Sequence, residues 1–190
     1  MNHISVIGIT GTPGTGKKTV GGSVAKKLEY ELLEINALAK NLGAEIGKKN
    51  AELEVEPSII YKKLPRLLEG KKTVLVGHLL PYCIPDNVID YVVVLRCSPT
   101  ELIRRYAERG YPKRKVKANV VVEAIDLCLS EALTRFDNSK MAEIDTTGRE
   151  VAEVAEEVIE KLKDPKKRSF GEVNWLPFIA EDVKMRKYLS

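Results

Sequence analysis

A glycine-rich stretch close to the start of the chain constrains the fold most strongly. Residues 4–10 (ISVIGIT) are apolar and rich in β-branched side chains, which predicts a buried strand. GTPGTGKKT follows at 11–19, and the helical pattern at 20–28 repeats apolar residues every four positions, so that helix has one face to bury. A strand, a glycine-rich turn and a helix in this order predict a phosphate-binding loop in an α/β fold.

The loop has Walker A spacing, with four residues between Gly11 and Gly16 and then Lys17. Such a loop turns its backbone N–H groups towards phosphate oxygens, Lys17 reaches the β- and γ-phosphates, and the helix dipole adds positive potential. An ordinary glycine turn is the alternative, but the strand before it and the helix after it favour the phosphate site. The predicted nucleotide-binding residues of the loop are Gly11, Gly14, Thr15, Gly16, Lys17, Lys18 and Thr19.

One position of the loop departs from the usual pattern. A Ser or Thr normally follows the lysine and holds Mg²⁺, whereas this chain has Lys18 and then Thr19. A hydroxyl one residue later resembles the GxPGxGKGT loop of nucleoside monophosphate kinases, down to Pro13. Thr19 is therefore the predicted metal-side hydroxyl.

Composition sets the outer bounds. A chain of 190 residues with 44% hydrophobic content fits one α/β domain, and no apolar run approaches the roughly 20 residues of a membrane span. The chain enters its first strand directly, so no signal peptide is expected, and three cysteines without metal spacing indicate reduced thiols. We expect a cytoplasmic protein without membrane contact, and a monomer. The basic segments 111–117 and 161–168 are either solvated surface or a polyanion-binding face.

Apolar strands separated by helices predict a parallel sheet covered on both faces. Strands are predicted at 4–10, 31–35, 73–76, 91–95 and around Ile144, and helices at 20–28, 36–43, 57–70, 99–109, 116–136 and 150–162. Pro65 should kink or split its helix, and the polar residues 44–56 are predicted to be a mobile connection. Ser98 and Glu101 are predicted to cap one helix, and Thr147 with Glu150 the last one.

A basic cluster suggests the second half of a site. Arg105 and Arg109 lie four residues apart at the end of one helix, and Lys113–Lys117 follow. Positive charge near a transferred phosphoryl group is what a closing lid supplies. An exposed basic helix end explains the same residues, but the phosphate-binding loop favours a lid.

Five segments together resemble a known family. GTPGTGKKT, EINALAK, VGHL, ERGYPKRKVKANVVVEA and IDTTG occur in the order found in adenylate kinase isoenzyme 6, a group with archaeal members and a eukaryotic nuclear ATPase of ribosome maturation. The resemblance covers roughly residues 1–163. It implies a P-loop nucleoside monophosphate kinase domain over 1–163, with a five-stranded parallel sheet and helices on both faces. A basic and aromatic tail, 164–190, follows and either packs on the domain or binds a partner.

The resemblance also implies site residues. A flap over about 36–59 takes the monophosphate through Asn36 and Lys40, the latter at a position that is often Arg. A lid spans about 108–118, with Arg105 and Arg109 clamping phosphates. Thr147, Gly148 and Arg149 lie beside the adenine.

The third strand ends in a second departure from the family. The family has Asp, a variable residue and His, and the matching residues here are Val76, Gly77 and His78. A valine cannot position Mg²⁺ or its waters, so the metal is expected to depend largely on substrate phosphates. His78, with Gly77, is predicted to contribute to the substrate site, although a histidine without any role is the alternative.

The implied activity is transfer of the ATP γ-phosphoryl group to AMP, with Mg²⁺ as cofactor and an accompanying ATPase activity. The predicted catalytic residues are Lys17, His78, Arg105 and Arg109. The family also suggests a nucleotide-switched assembly ATPase that binds a small-subunit ribosomal platform protein and pre-ribosomal RNA. A kinase for another small acceptor and a degenerate nucleotide-binding protein stay open as well.

Overall fold

The computed structural model describes residues 4–49 and 52–188. The elements, in chain order, are β1 (Val6–Thr10), α1 (Lys17–Leu28), β2 (Glu31–Glu34), α2 (Ile35–Asn41), β3 (Glu45–Lys49), β4 (Glu52–Val55), α3 (Pro57–Leu68), β5 (Thr73–Val76), α4 (Leu80–Cys83), β6 (Tyr91–Arg96), α5 (Pro99–Glu108), α6 (Lys113–Ala124), α7 (Leu127–Arg135), β7 (Met141–Asp145), α8 (Val151–Lys163), α9 (Leu176–Glu181) and α10 (Val183–Arg186).

Five strands form one parallel sheet in the order β2-β5-β1-β6-β7. β1 is the central strand, and the chain turns to one side for β5 and to the other for β6. Open parallel sheets bind ligands outside the carboxyl ends of their strands, at the point where the strand order reverses. The glycine-rich loop leaves β1 at that point. The strand order and the parallel pairing confirm the predicted α/β fold with a five-stranded parallel sheet.

Each face of the sheet is covered by helices. Val20 and Val24 of α1 and Val154 and Val158 of α8 pack with Ile9 and its neighbours on one face. Ile60 and Leu64 of α3 and Leu129 of α7 pack with residues of β5 and β6 on the other. Because both faces are buried, β1, β5 and β6 are apolar at nearly every position, as the sequence predicted. No helix of the described residues combines the length and apolar character needed to span a membrane.

Two predicted segments are wrong. The connection over 44–56 contains an antiparallel hairpin of β3 and β4, whose short polar strands gave no strand pattern; its residues 50 and 51 lie outside the described part. The long helix over 116–136 is two helices, α6 and α7, because Asp126 takes a left-handed conformation with φ 56°. The Asp126 carboxylate accepts a hydrogen bond from Arg96, which helps to hold this break.

Smaller differences concern helix ends. α3 is not split, because Pro65 lies in its last turn, where little of the helix remains to be interrupted. Ser98 caps α5 as predicted, by accepting from the amide of Glu101, whereas the Glu101 carboxylate accepts from Arg104 and Arg105 instead of completing the cap. The last main helix, α8, is capped by Glu150 and Glu153, whereas Thr147 instead bonds to Asp145 and Ser98.

The tail packs on the domain rather than extending away from it. Ile179 and Met185 are buried in a third apolar cluster with Leu102, Tyr106 and Val120 of α5 and α6. Of the two interpretations that the sequence left open, the structure shows the packing on the domain for residues up to 188, the last one described.

Candidate active site

The glycine-rich loop wraps tightly over the carboxyl end of β1. A Cβ atom on Gly11 would lie 2.2 Å from the carbonyl oxygen of Leu95, and one on Gly14 would lie 2.7 Å from the ring of Tyr106. Both residues also have φ values in the left-handed region, 134° and 93°. Only glycine fits at these two positions, because a side chain would meet both a neighbour and an unfavourable backbone conformation.

Lys17 begins α1 and folds back over the loop. Its Nζ donates a hydrogen bond to the carbonyl oxygen of Thr12 at 2.8 Å. The pKa of Lys17 is lowered to about 8, mainly by burial and to a smaller extent by the charge of Arg109, while Cys128 and Glu123 act in the opposite direction. A bound phosphate would raise this pKa again, since an opposite charge nearby favours the ammonium form.

A cavity of about 300 Å³ opens in front of the loop. It brings together predicted site residues from separate parts of the chain: the loop, α2, the end of β5 and the segment after α5. The lining residues are Pro13, Gly14, Gly16, Lys17, Lys18, Thr19, Glu34, Asn36, Val76, Gly77, His78, Arg109 and Tyr111.

A second cavity of about 510 Å³ adjoins the first and shares Pro13, Asn36, His78 and Tyr111 with it. Its remaining lining residues come from α4, α6 and α7 and their flanks: Leu79, Tyr82, Lys115, Asn119, Val122, Leu127, Cys128 and Glu131. The mixture of aromatic, amide and carboxylate groups is suited to a planar polar ligand.

Several predicted residues lie outside both linings. Arg105 donates to the carbonyl oxygen of Gly14 at 3.0 Å, so it contacts the loop from behind. Lys40 is exposed one turn beyond Asn36 on α2. Gly11 and Thr15 are buried within the loop itself.

The segment predicted to lie beside the adenine is anchored by hydrogen bonds outside the two cavity linings. Thr147 Oγ1 bonds to Asp145 at 2.5 Å, and Arg149 Nη1 donates to Glu157 at 2.6 Å. Thr147 and Arg149 follow Thr146, whose hydroxyl donates to the carbonyl oxygen of Thr15 at 3.2 Å. They are therefore near the loop but outside both cavity linings.

The predicted lid, 108–118, is largely the first half of α6. Arg109 and Tyr111 precede that helix and line the first cavity, and Lys115 lines the second. The Tyr111 ring stacks on Tyr106 with centroids 5.1 Å apart, which anchors the start of this segment.

The metal side of the site has an unexpected carboxylate. Val76 is buried against α1, where a Cβ on Gly21 would lie 2.4 Å from it. Glu34 is paired with Val76 in register on the adjacent strand and lines the cavity. Lys18 Nζ lies 2.7 Å from Glu34 Oε1, so the two departures from the family pattern come together here. No group of three or more His, Cys, Asp or Glu with metal-binding geometry occurs in residues 4–49 and 52–188.

Sequence reasoning missed a buried group behind the loop. Thr12 Oγ1 donates to Glu123 Oε2 at 2.5 Å, and Arg96 Nε donates to Glu123 Oε1 at 2.8 Å. Burial raises the pKa of Glu123. Burial also opposes the Arg96 charge, but Glu123 and Asp126 outweigh it and raise the pKa of Arg96. Glu123 occurs in the segment ERGYPKRKVKANVVVEA, which carries part of the family resemblance, and this was the signal in the sequence that could have pointed to it.

Comparison with solved structures supports the architecture. A shikimate kinase from Acinetobacter baumannii aligns with a TM-score of 0.59 at 19% identity, covering 86% of this chain and 95% of that one. A gluconokinase from Sinorhizobium meliloti aligns with a TM-score of 0.51 at 18% identity, covering 84% and 91%. The parallel sheet, the helices on both faces and the loop after β1 define the chain as a P-loop kinase fold of the nucleoside monophosphate kinase type.

Sequence comparison then gives the family. An AAA domain model matches residues 7–126. A Pyrococcus furiosus protein named "Putative adenylate kinase" is 41% identical over 180 residues, covering 94% of this chain and 95% of that protein. A Thermococcus gammatolerans protein of the same name is 40% identical, covering 90% and 92%. The chain belongs to this family of archaeal adenylate-kinase-like proteins.

Proposed function

We propose that the protein is a nucleoside monophosphate kinase that transfers the γ-phosphoryl group of ATP to AMP, with slow ATP hydrolysis as a side reaction. The observation that carries the proposal is the pair of adjoining cavities, which share Asn36, His78 and Tyr111. One cavity holds the phosphate-binding loop, and the other has room for a second ligand beside it. This is the arrangement that direct transfer between two bound nucleotides requires.

The donor phosphates occupy the first cavity. Lys17 leaves the Thr12 carbonyl and bonds to the β- and γ-phosphates, while the amides at the start of α1 bind the same oxygens. Arg109, at the cavity wall, supplies a second positive charge to the transferred group. Arg105 acts as a positioning residue for the loop through Gly14.

Mg²⁺ would bind mainly to the substrate phosphates. Mg²⁺ commonly retains several waters and takes only one or two protein carboxylates. Thr19 and Glu34 both line this cavity and offer a hydroxyl and a carboxylate oxygen, so the residues fit a metal held in this manner. The ion, when bound, neutralises charge on the β- and γ-phosphates.

The acceptor occupies the second cavity. Asn119 lines this cavity, and its side-chain amide carries the donor and acceptor groups that a base can bind. His78 lies at the boundary of the two cavities, where it contacts the acceptor phosphate and helps to exclude water.

The proposal is tested by measuring ADP formation from Mg-ATP alone and with AMP, CMP, GMP or UMP. Lys17→Ala serves as the blank, because it removes the positive charge that would bind the phosphates and leaves the apolar core residues unchanged. Strong stimulation by AMP in the wild type, lost in Lys17→Ala, is expected. Stimulation by another monophosphate would change the acceptor, and hydrolysis indifferent to every monophosphate would overturn the kinase proposal in favour of an ATPase.

A further inference from the structure

One buried carboxylate connects the phosphate-binding loop to the far end of the chain. Glu123 is 1% exposed and accepts hydrogen bonds from Thr12 of the loop and from Arg96. The same carboxylate accepts from the amide of Cys97 and from the indole Nε1 of Trp175, both at 3.1 Å. Loop and tail therefore share one acceptor group.

A second carboxylate fixes the segment that leads to Trp175. Glu143 Oε2 accepts from the amides of Gly171 and Glu172 at 2.8 and 3.1 Å, and its Oε1 accepts from Arg96 at 2.5 Å. Arg96 is 1% exposed and lies between the two carboxylates. Its charge is neutralised by groups that also hold the tail.

Packing reinforces this connection. Ile179 is fully buried with Tyr106 and Leu102, and the Tyr106 hydroxyl donates to the carbonyl oxygen of Pro13 in the loop. The Tyr106 ring also occupies the space above Gly14. The tail thus supports the loop by an apolar route as well as through Glu123.

We propose that residues 169–188, the C-terminal segment, are a working part of the nucleotide site, with Trp175 acting as a positioning residue for the loop. Trp175 orients Glu123, Glu123 orients Thr12, and the Thr12 carbonyl is the group that Lys17 must leave when a phosphate binds. Nucleotide binding and the packing of the C-terminal segment on the domain are therefore coupled. A bound nucleotide should stabilise the packed segment, and the packed segment should raise the affinity for the nucleotide. The inference rests on the proposed function only in that the loop binds a nucleotide.

The sequence supplies its own probe, because Trp175 is the single tryptophan. We expect titration with Mg-ADP to change the indole emission of the wild type, with a midpoint equal to the Kd measured by calorimetry. Lys17→Ala, titrated over the same ADP concentrations, controls for effects other than binding and should show no change. Hydrogen exchange of residues 169–188 should also slow when ADP is bound.

Substitutions separate positioning from simple stability. Trp175→Phe keeps an aromatic ring and removes the N–H donor, so we expect ADP affinity to fall about threefold to tenfold at a temperature where the protein is fully folded. Phe178→Ala, in the short helix α9 that begins just after Trp175, changes a side chain that is 44% exposed; it is the matched control and should leave the affinity unchanged.

A double-mutant cycle identifies the route. In Thr12→Val the loop no longer donates to Glu123, so adding Trp175→Phe should have no further effect on the Kd. A full effect in that background would show that Trp175 does not act through Thr12 and would overturn the proposed route.

The outcomes also separate this inference from the proposed function. ADP binding without an emission change, without slower exchange and with wild-type affinity in Trp175→Phe would overturn the coupling alone. Failure of the wild type to bind ADP by calorimetry would overturn the proposed function and the coupling together. Coupling without transfer to any monophosphate would support the inference while the kinase proposal fails.

Discussion

At the scale of single residues, the protonation of Lys17 determines how the site should respond to pH. The pKa of about 8 in the free protein means that Lys17 is half deprotonated at about pH 8. A phosphate raises that pKa again, so binding above pH 8 requires proton uptake. We expect ADP affinity to be nearly level up to about pH 7, to decline through pH 8 and then to fall by up to about tenfold per pH unit.

Calorimetry of ADP binding, in buffers of different ionisation enthalpy, measures both the affinity and the proton uptake. The pH range should extend about 1.5 units either side of the lysine pKa of about 8. Lys17→Arg is the control, because a guanidinium stays charged over this range and its affinity should not vary with pH. A level profile in the wild type would show that Lys17 remains protonated in the free site.

Glu34 offers a second test at this scale. If its carboxylate helps to hold the metal, Glu34→Gln should weaken the binding of Mn²⁺ to the protein–ADP complex. We expect a loss of roughly tenfold or more, the usual range when a group that supports a metal is removed. Electron paramagnetic resonance measures the Mn²⁺ affinity. Glu31→Gln is a matched control, because Glu31 lies on the same strand and outside the cavity lining. Equal Mn²⁺ affinity in both variants would remove Glu34 from the metal site.

The sequence revealed the site residues that belong to one local structure, and it did not reveal those that meet only through the packing of distant elements. Gly11, Gly14 and Lys17 are marked by local spacing, because the loop that they form is a local structure. Thr12 and Glu123 are 111 positions apart, and their contact depends on how α6 packs behind the loop. Glu34 lies beside Val76 only because β2 pairs with β5 in that register. No spacing rule describes contacts of that kind.

At the scale of elements, the break between α6 and α7 is the feature that the sequence concealed. Apolar residues continue at helical spacing across Ile125 and Asp126, so the pattern predicts one helix. A hydrogen bond that helps to hold the break comes from Arg96, 30 positions away, to the Asp126 carboxylate. The parallel strands were predicted more accurately, because burial on both faces makes each of them apolar throughout.

Asp126 should therefore contribute measurably to stability. Asp126→Ala removes a carboxylate from a buried arginine and places alanine in a left-handed conformation, so we expect the free energy of unfolding to fall by about 2–3 kcal/mol. Asp126→Asn retains a residue that tolerates this conformation and should lose less. Urea denaturation monitored by far-UV circular dichroism measures both.

Glu29 provides the comparison for backbone strain alone. It has almost the same φ, 57°, and is an exposed residue at the end of α1. Glu29→Ala should change the free energy of unfolding by less than about 1 kcal/mol. If Glu29→Ala and Asp126→Ala cost the same, the ion pair with Arg96 contributes nothing and the break has another cause.

At the scale of the whole molecule, the two cavities act as one site only if two nucleotides bind at the same time. Asn36, His78 and Tyr111 line both cavities, so the two lie side by side. A single molecule carrying two adenosines on one polyphosphate chain should then bridge both cavities. Linking the two ligands turns the second contact into an intramolecular one, so we expect about 10²-fold or greater gain in affinity over ATP.

Calorimetry with two linkers makes this test specific. Two adenosines joined by five phosphates match a donor triphosphate plus an acceptor monophosphate with one phosphate of slack, whereas joining them by three phosphates leaves too short a chain for both cavities. We expect the longer linker to bind far more tightly than ATP, and the shorter one to bind about as tightly as ATP. Equal affinity for the two compounds would mean that only the first cavity is used. In that case the second cavity is not an acceptor site, even if the protein hydrolyses ATP at the phosphate-binding loop.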